Sequence, residues 1–186
     1  LVVENIFSKI NVIWHIRIIK MKNNAHRKEA KLGIEFEKRM KPILVKNGFI
    51  YIDGKGKKTS AGKKYRFSFK YIKGLEQYPG NLHWDFVYEA DEYPIFVDCK
   101  STSISHKDHK DILIKSVACK SKFPECKIKL IYYKFNNSKS ENRKYARTLV
   151  ENGMIDLIVK SEKELLSNPK ILIDGEDKDI GIGKFF

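Results

Sequence analysis

The chain has 186 residues, of which 42% are hydrophobic and 12% aromatic, a composition typical of one globular domain with its own core. The net charge of +14 predicts a polyanionic partner, most simply nucleic acid, although an AT-rich genome would also enrich lysine. The three cysteines form no even framework and, together with His106 and His109, match no familiar zinc-ligand spacing. They are typical of reduced thiols, so we expect a cytoplasmic protein.

The N-terminal residues 1–24 are predicted to form a helical extension. Their apolar run, from Ile10 to Ile19, is about half the length of a membrane-spanning helix, and no small-residue cleavage site follows it. No membrane partner is therefore expected. Residues 25–186 are predicted to form the main domain.

The first element of that domain is a helix over residues 25–47. Glu37 borders its apolar arc, whereas Glu35 points further toward solvent. Pro42 should kink or interrupt the helix near its end, and Asn47-Gly48 should stop it. The arc consists of Leu32, Phe36, Met40, Ile43 and Leu44.

Residues 49–72 predict two strands joined by a basic loop. The strands cover residues 49–52 and 65–72, and the second alternates aromatic with polar side chains. The loop, residues 53–64, is rich in glycine and lysine, which suits phosphate contact without base readout, although a solvated surface turn would look the same. The candidate DNA-binding lysines of this loop are Lys55, Lys57, Lys58, Lys63 and Lys64.

Residues 84–88 and 94–100 are two apolar runs around a polar turn, which predicts a β-hairpin. If the turn is centred between Asp91 and Glu92, Asp85 lies directly opposite Asp98. Opposed like charges on a sheet are destabilising, so two facing carboxylates need a reason, and a bound divalent cation is the simplest one. A slip of one residue would place the two carboxylates on opposite faces.

The remaining elements predict an α/β fold with a mixed central sheet flanked by helices. A helix over residues 107–120 carries two further candidate DNA-binding lysines, Lys107 and Lys110, and turns Val117 inward with its other apolar residues. An interior strand over residues 127–135, a helix over 140–152 and a buried strand over 155–159 follow. A capping box at residues 161–164 opens a last short helix.

Asp85, followed after twelve residues by Asp98-Cys99-Lys100, resembles the signature of the PD-(D/E)xK nucleases. Residues 95–101 are especially similar to the cleavage domains of type IIS restriction endonucleases of the FokI type. The first Pro of the family signature is missing, since Trp84 stands before Asp85. The resemblance implies a restriction-endonuclease-like core over most of residues 25–186 and a magnesium-dependent endodeoxyribonuclease, in which Mn²⁺ is expected to substitute for Mg²⁺.

The resemblance also implies the roles of the site residues. The metal would bind Asp85, Asp98 and the Cys99 carbonyl, and Lys100 would orient the attacking water or stabilise the developing oxyanion. Residues 33–37 resemble the helix that precedes the catalytic hairpin in this superfamily, where a Glu often joins the metal site. Its position on the helix favours Glu37, rather than Glu35, as a catalytic and metal-binding residue.

No separate recognition motif is visible, so the expected partners are double-stranded DNA and a larger, sequence-recognising restriction subunit. The chain would then be the cleavage subunit of a heterodimeric type II restriction endonuclease. Two alternatives stay open from the sequence. One is a structure-specific nuclease such as a Holliday-junction resolvase, and the other is a non-catalytic basic module that binds nucleic acid.

Overall fold

The computed structural model of the chain describes residues 31–52, 60–68, 76, 81–101, 106–133, 135 and 140–175. The expected N-terminal extension over residues 1–24 and the loop lysines Lys55, Lys57 and Lys58 lie outside these residues. The chain divides into two units, residues 1–35 and residues 36–186. The second unit contains every strand described below.

Six helices and seven strands follow one another in the described part of the chain. Helix α1 occupies residues 31–46 of the described region. The turn that follows it contains Gly48, whose φ of +87° favours glycine. The strands are β1 (Ile50–Tyr51), β2 (Phe67–Ser68), β3 (Asn81–Leu82), β4 (Phe86–Glu89), β5 (Pro94–Lys100), β6 (Lys127–Tyr132) and β7 (Leu157–Val159). The other helices are α2 (Ser60–Lys64), α3 (His106–Lys122), α4 (Ser140–Glu151), α5 (Glu162–Ser167) and α6 (Ile171–Asp174).

The main sheet has the strand order β1-β4-β5-β6-β7. Strands β1, β4 and β5 are antiparallel neighbours, whereas β6 and β7 join in parallel through the crossover helices α3 and α4. Two parallel strands can be joined only by such a crossover. The two successive crossover helices, α3 and α4, cover the same face of the sheet. The mixed sheet flanked by helices confirms the α/β fold class predicted from the sequence.

Each face of the sheet packs against its own helices because side chains alternate along a strand. One face carries Val87, Phe96 and Leu130 and is covered by α3 and α4 through residues such as Ile112 and Leu149. The opposite face is covered by α1, α5 and α6. Its buried residues include Phe36, Met40, Leu44, Phe86, Val97, Ile131, Val159, Leu165 and Leu172.

Several local predictions need correction. Residues 60–64, expected to be loop, form α2, and α1 continues through Pro42 to residue 46. Leu32 and Val117 were expected to face inward, but each is 40% exposed. The strand expected over residues 127–135 ends at Tyr132, and the one expected over 65–72 is described only as β2, since residues 69–72 lie outside the described part.

The capping box is present in a modified form. Ser161 Oγ accepts a hydrogen bond from Glu164 N, as predicted. The Glu164 carboxylate accepts from the backbone N–H of Lys160, one residue before the cap. In the described part of the chain, no helix is both long and apolar enough to cross a membrane.

Candidate active site at the end of the central hairpin

The hairpin register brings Asp85 and Asp98 together. Phe86 pairs with Val97, which is the register predicted from the turn, so the residues one step further out face each other. The ladder continues to this point, because Asp85 N donates to Val97 O at 3.0 Å. Asp85 Oδ2 accepts a 2.7 Å hydrogen bond from Cys99 N.

The two carboxyl groups have opposite ionisation tendencies although they are neighbours. Burial raises the pKa of Asp85 well above its usual range, and the charges of Asp98 and Glu37 raise it further. Burial also acts to raise the pKa of Asp98, but the charges of Lys100 and Lys115 outweigh burial and hold that pKa below its usual range. Asp85 therefore keeps a proton to a higher pH than Asp98 does.

Two lysines neutralise Asp98, which is only 2% exposed. Lys100 Nζ lies 2.7 Å from Asp98 Oδ2, and Lys115 Nζ, from α3, lies 3.5 Å from the same atom. Asp111, one turn before Lys115, lies 3.2 Å from its ammonium and 3.9 Å from that of Lys100. Burial lowers the pKa of each lysine, but the nearby carboxylates more than offset it, so both stay charged.

Glu37 reaches the same region from α1. Its Oε1 accepts a 2.7 Å hydrogen bond from the Tyr51 hydroxyl of β1, which fixes the half-buried carboxylate. Its charge contributes to the raised pKa of Asp85, so the two groups are electrostatically coupled. Glu35, by contrast, is exposed and pairs with Lys31 at 3.9 Å within the first unit.

The sequence analysis missed three residues of this cluster: Lys115, Asp111 and His83. His83 is half-buried, and burial together with the Lys115 charge lowers its pKa, against the opposing charges of Asp98, Glu37 and Asp111. Lys115 and Asp111 show only an i, i+4 spacing in the sequence, which many solvent-exposed helices share. The contact of Lys115 with Asp98, and that of Asp111 with Lys100, depend on how α3 packs on the sheet.

Trp84, which precedes Asp85, forms a wall of the cluster. The side chain is fully buried, and its ring centre lies 5.6 Å from Lys115 Nζ, a cation–π distance. Its indole also packs against Phe96, two residues before Asp98 on the same strand face.

The arrangement fits a hard divalent cation. Within the described residues, no three His, Cys, Asp or Glu side chains converge as a metal-binding group. Two adjacent carboxylates completed by carbonyl, water and phosphate oxygens are the usual ligand set of Mg²⁺, however. Burial and the charge of Asp98 raise the pKa of Asp85, and a cation bound between the two carboxylates would favour their ionised forms. The Cys99 carbonyl points to the same side of β5 as its N–H, which contacts Asp85.

The candidate DNA-binding lysines whose side chains the structure describes lie outside this cluster. Lys110 is exposed on α3, Lys63 is exposed on α2, and Lys107 belongs to α3 with its side chain outside the described part. Lys64 is occupied by an ion pair, because its Nζ lies 2.6 Å from Glu89 Oε1. Lys64 is thus held against the hairpin.

No protein-family model, curated protein or solved structure matches the chain.

Asp85→Asn is expected to stabilise the metal-free protein. Because the folded-state pKa of Asp85 is raised, its stabilising contribution is present below the ordinary carboxyl pKa and is lost as pH rises through the raised value. The opposite contribution of Asp98, whose pKa is lowered, is fully present above about pH 5. An amide can still accept from Cys99 N–H, so that hydrogen bond is kept.

Thermal unfolding in EDTA at about pH 5 and about pH 8 measures this effect. We expect a higher midpoint for Asp85→Asn, by about 2–4 °C for each kcal/mol gained, with the larger gain at the higher pH. Asp156→Asn is the matched control, since Asp156 also accepts from a backbone N–H, that of Ile128, at 2.8 Å. A rise in unfolding midpoint no larger than that of Asp156→Asn would contradict the raised pKa of Asp85.

Proposed function

We propose that the chain is a metal-dependent DNA endonuclease module with a PD-(D/E)xK active site and a restriction-endonuclease-like core. The observation that carries the proposal is the placement of Asp85, Asp98 and Lys100 on one face of the β4–β5 hairpin. Lys100 Nζ and Asp98 Oδ2 lie 2.7 Å apart there. These are the three residues of the sequence signature. The free thiols of Cys99, Cys119 and Cys126 suit a cytoplasmic enzyme.

The proposed mechanism assigns each residue a physical role. Asp85, Asp98 and the Cys99 carbonyl are the groups that would hold Mg²⁺ or Mn²⁺, and Glu37 would hold a second or water-mediated metal position. When bound, such an ion polarises a phosphate oxygen and lowers the pKa of a water ligand.

Lys100 and Lys115 supply fixed positive charge beside Asp98, where negative charge develops on the phosphate oxygens during hydrolysis. Their burial strengthens this effect, because charges interact more strongly where water is excluded. The ion pair with Asp111 directs the Lys115 ammonium toward Asp98, since the carboxylate lies one helical turn away on α3.

Substitution of the signature residues should abolish metal-dependent cleavage. We expect Asp98→Asn and Lys100→Met each to reduce plasmid nicking in Mg²⁺ by about 100-fold or more. Asn is the better replacement for Asp98, because its amide oxygen can still accept a hydrogen bond from Lys100, whereas Ala would leave Asp111 as the remaining acidic neighbour of both lysines.

The nicking assay is run in Mg²⁺ and in Mn²⁺, with the chain alone and with a larger restriction subunit. One control is Asp156→Asn, since Asp156 contacts Ile128 at the start of β6, whereas the candidate site lies beside the end of that strand. The other is Lys163→Met, on the exposed side of α5. Both should keep wild-type activity. Wild-type nicking by Asp98→Asn would show that the site is wrongly assigned, and DNA binding without nicking in every assembly would favour a non-catalytic module.

Glu37→Gln should lower the cleavage rate by about tenfold, and Glu35→Gln should leave it unchanged. Gln can still accept the Tyr51 hydroxyl bond, so the variant removes the charge near Asp85 and keeps the packing. Initial nicking rates of both variants at equal Mg²⁺ concentration provide the comparison. Equal rates for the two variants would remove α1 from the mechanism.

The module is expected to cut one strand of DNA. One metal-dependent centre aligns one scissile phosphate, and one Asp–Asp–Lys constellation is present in the described residues. Specific cutting also needs base-reading contacts, which we assign to a larger partner subunit with its own nuclease centre.

In the assembled complex, Asp98→Asn should therefore convert double-strand cutting into nicking of one defined strand. Gel analysis of supercoiled, nicked and linear plasmid distinguishes the products. Sequence-specific double-strand breaks made by the purified chain alone would point instead to a self-sufficient homodimer.

A further inference from the structure

A second polar surface lies on the α3 side of the sheet, away from the carboxylate pair. A cavity of about 560 Å³ opens between α2, β2 and the C-terminal turn of α3. Phe67 and Ala118 are its buried apolar lining. Its described polar lining consists of Lys63, Arg66, Ser68, Ser121 and Lys122.

The chemistry of this basic pocket suits an anion. Three cationic side chains and two hydroxyl groups line it, and no carboxylate is among its described lining residues. Lys122 is held in place, because its Nζ donates to the Lys64 carbonyl at 2.8 Å and lies 5.7 Å from the centre of the Phe67 ring. An ammonium has three donors, so this bond uses only one of them.

The cations of the pocket differ from those of the carboxylate cluster. Lys100 and Lys115 are already paired with Asp98, and Lys64 is paired with Glu89. The charges of Lys63, Arg66 and Lys122 therefore account for the positive character of this surface. An arginine between two lysines offers the forked donor geometry that matches a phosphate.

Helix α3 relates the pocket to the candidate active site. Lys122 follows Lys115 by seven residues, so both lie on nearly the same side of the helix, about 10 Å apart along its axis. On the sheet side, Phe67 of the pocket packs edge-on against Phe96, two residues before Asp98. Successive phosphates of one DNA strand advance about 3.4 Å along the duplex axis, so the separation corresponds to about three nucleotides.

We propose that the basic pocket binds a backbone phosphate of the DNA substrate, about three nucleotides from the phosphate that is cut. The inference rests on the proposed nuclease function. The contact fixes the position of the strand and reads no sequence, since it reaches only the phosphate. Small phosphate esters share this chemistry, so the experiment separates a free nucleotide or inorganic phosphate from the DNA backbone.

Binding of a fluorescent DNA duplex to the full chain in EDTA tests the pocket without cleavage. We expect Arg66→Gln and Lys122→Gln each to weaken binding by about 3- to 10-fold and to reduce the slope of log affinity against log salt by about one. Lys163→Gln is the matched control, because Lys163 is an exposed lysine of α5 on the opposite face of the sheet. Affinities of the two pocket variants equal to that of the control would overturn the proposal.

Two further measurements make the outcome unambiguous. Thermal unfolding of each variant shows whether it folds, and Arg66→Gln keeps the test valid if Lys122→Gln loses the bond to Lys64. Mononucleotide and inorganic phosphate are titrated against wild type and Arg66→Gln. If mononucleotide or inorganic phosphate protects the wild type but not Arg66→Gln against thermal unfolding, and Arg66→Gln binds the duplex as well as the wild type does, the pocket is a small-ligand site. That result would overturn the proposal of a DNA contact.

The nuclease proposal and the pocket proposal fail differently. Reduced duplex binding by the pocket variants, in a chain that never cleaves DNA in Mg²⁺ or Mn²⁺, would remove the nuclease function and keep the pocket as a DNA contact. Mg²⁺-dependent cleavage with full duplex affinity in both pocket variants would keep the nuclease and remove the pocket.

Discussion

The opposition of Asp85 and Asp98 across the β4–β5 hairpin is the constraint on which the rest of the site depends. Two carboxyl groups this close cannot both ionise without compensation, and the charges of two lysines beside Asp98 supply part of it. One lysine comes from the same strand and the other from α3, so the crossover helix must pack at one particular height on the sheet. The polar cluster therefore fixes the packing of α3 as well as the chemistry of the site.

The surrounding core makes this arrangement rigid. Strand β5 is the centre of the five-stranded sheet, with β4 antiparallel on one side and β6 parallel on the other. Trp84 and Phe96 pack beside the cluster on the α3 face, whereas Phe86 and Val97 anchor the same two strands to α1. A charged group placed on such a framework keeps its geometry, which is what preorganised electrostatic stabilisation requires.

Local patterns predicted the parts of the site that local geometry determines. The hairpin register could be predicted because a turn centred between Asp91 and Glu92 sets the pairing of the two strands, and the pairing of Phe86 with Val97 confirms it. The preference for Glu37 over Glu35 followed from helical periodicity. Lys115, Asp111 and His83 could not be predicted, because their contacts depend on how distant elements pack, and a lysine at i+4 from an aspartate usually faces solvent. Helix α2 was missed because its Ser-Ala-Gly-Lys-Lys sequence has no apolar periodicity.

The distribution of charge separates the two tasks that the proposed nuclease would combine. In the carboxylate cluster, the ammonium groups of Lys100 and Lys115 balance Asp98 and Asp111, so little net charge is left there to attract DNA. In the basic pocket, cations stand without a carboxylate among the described lining residues, so their field extends to solvent. Helix α3 carries a residue of each set, with Lys115 in the first and Lys122 in the second. The net charge of +14 is thus informative through its placement rather than its size, because an AT-rich genome would raise the total without grouping three cations around one cavity.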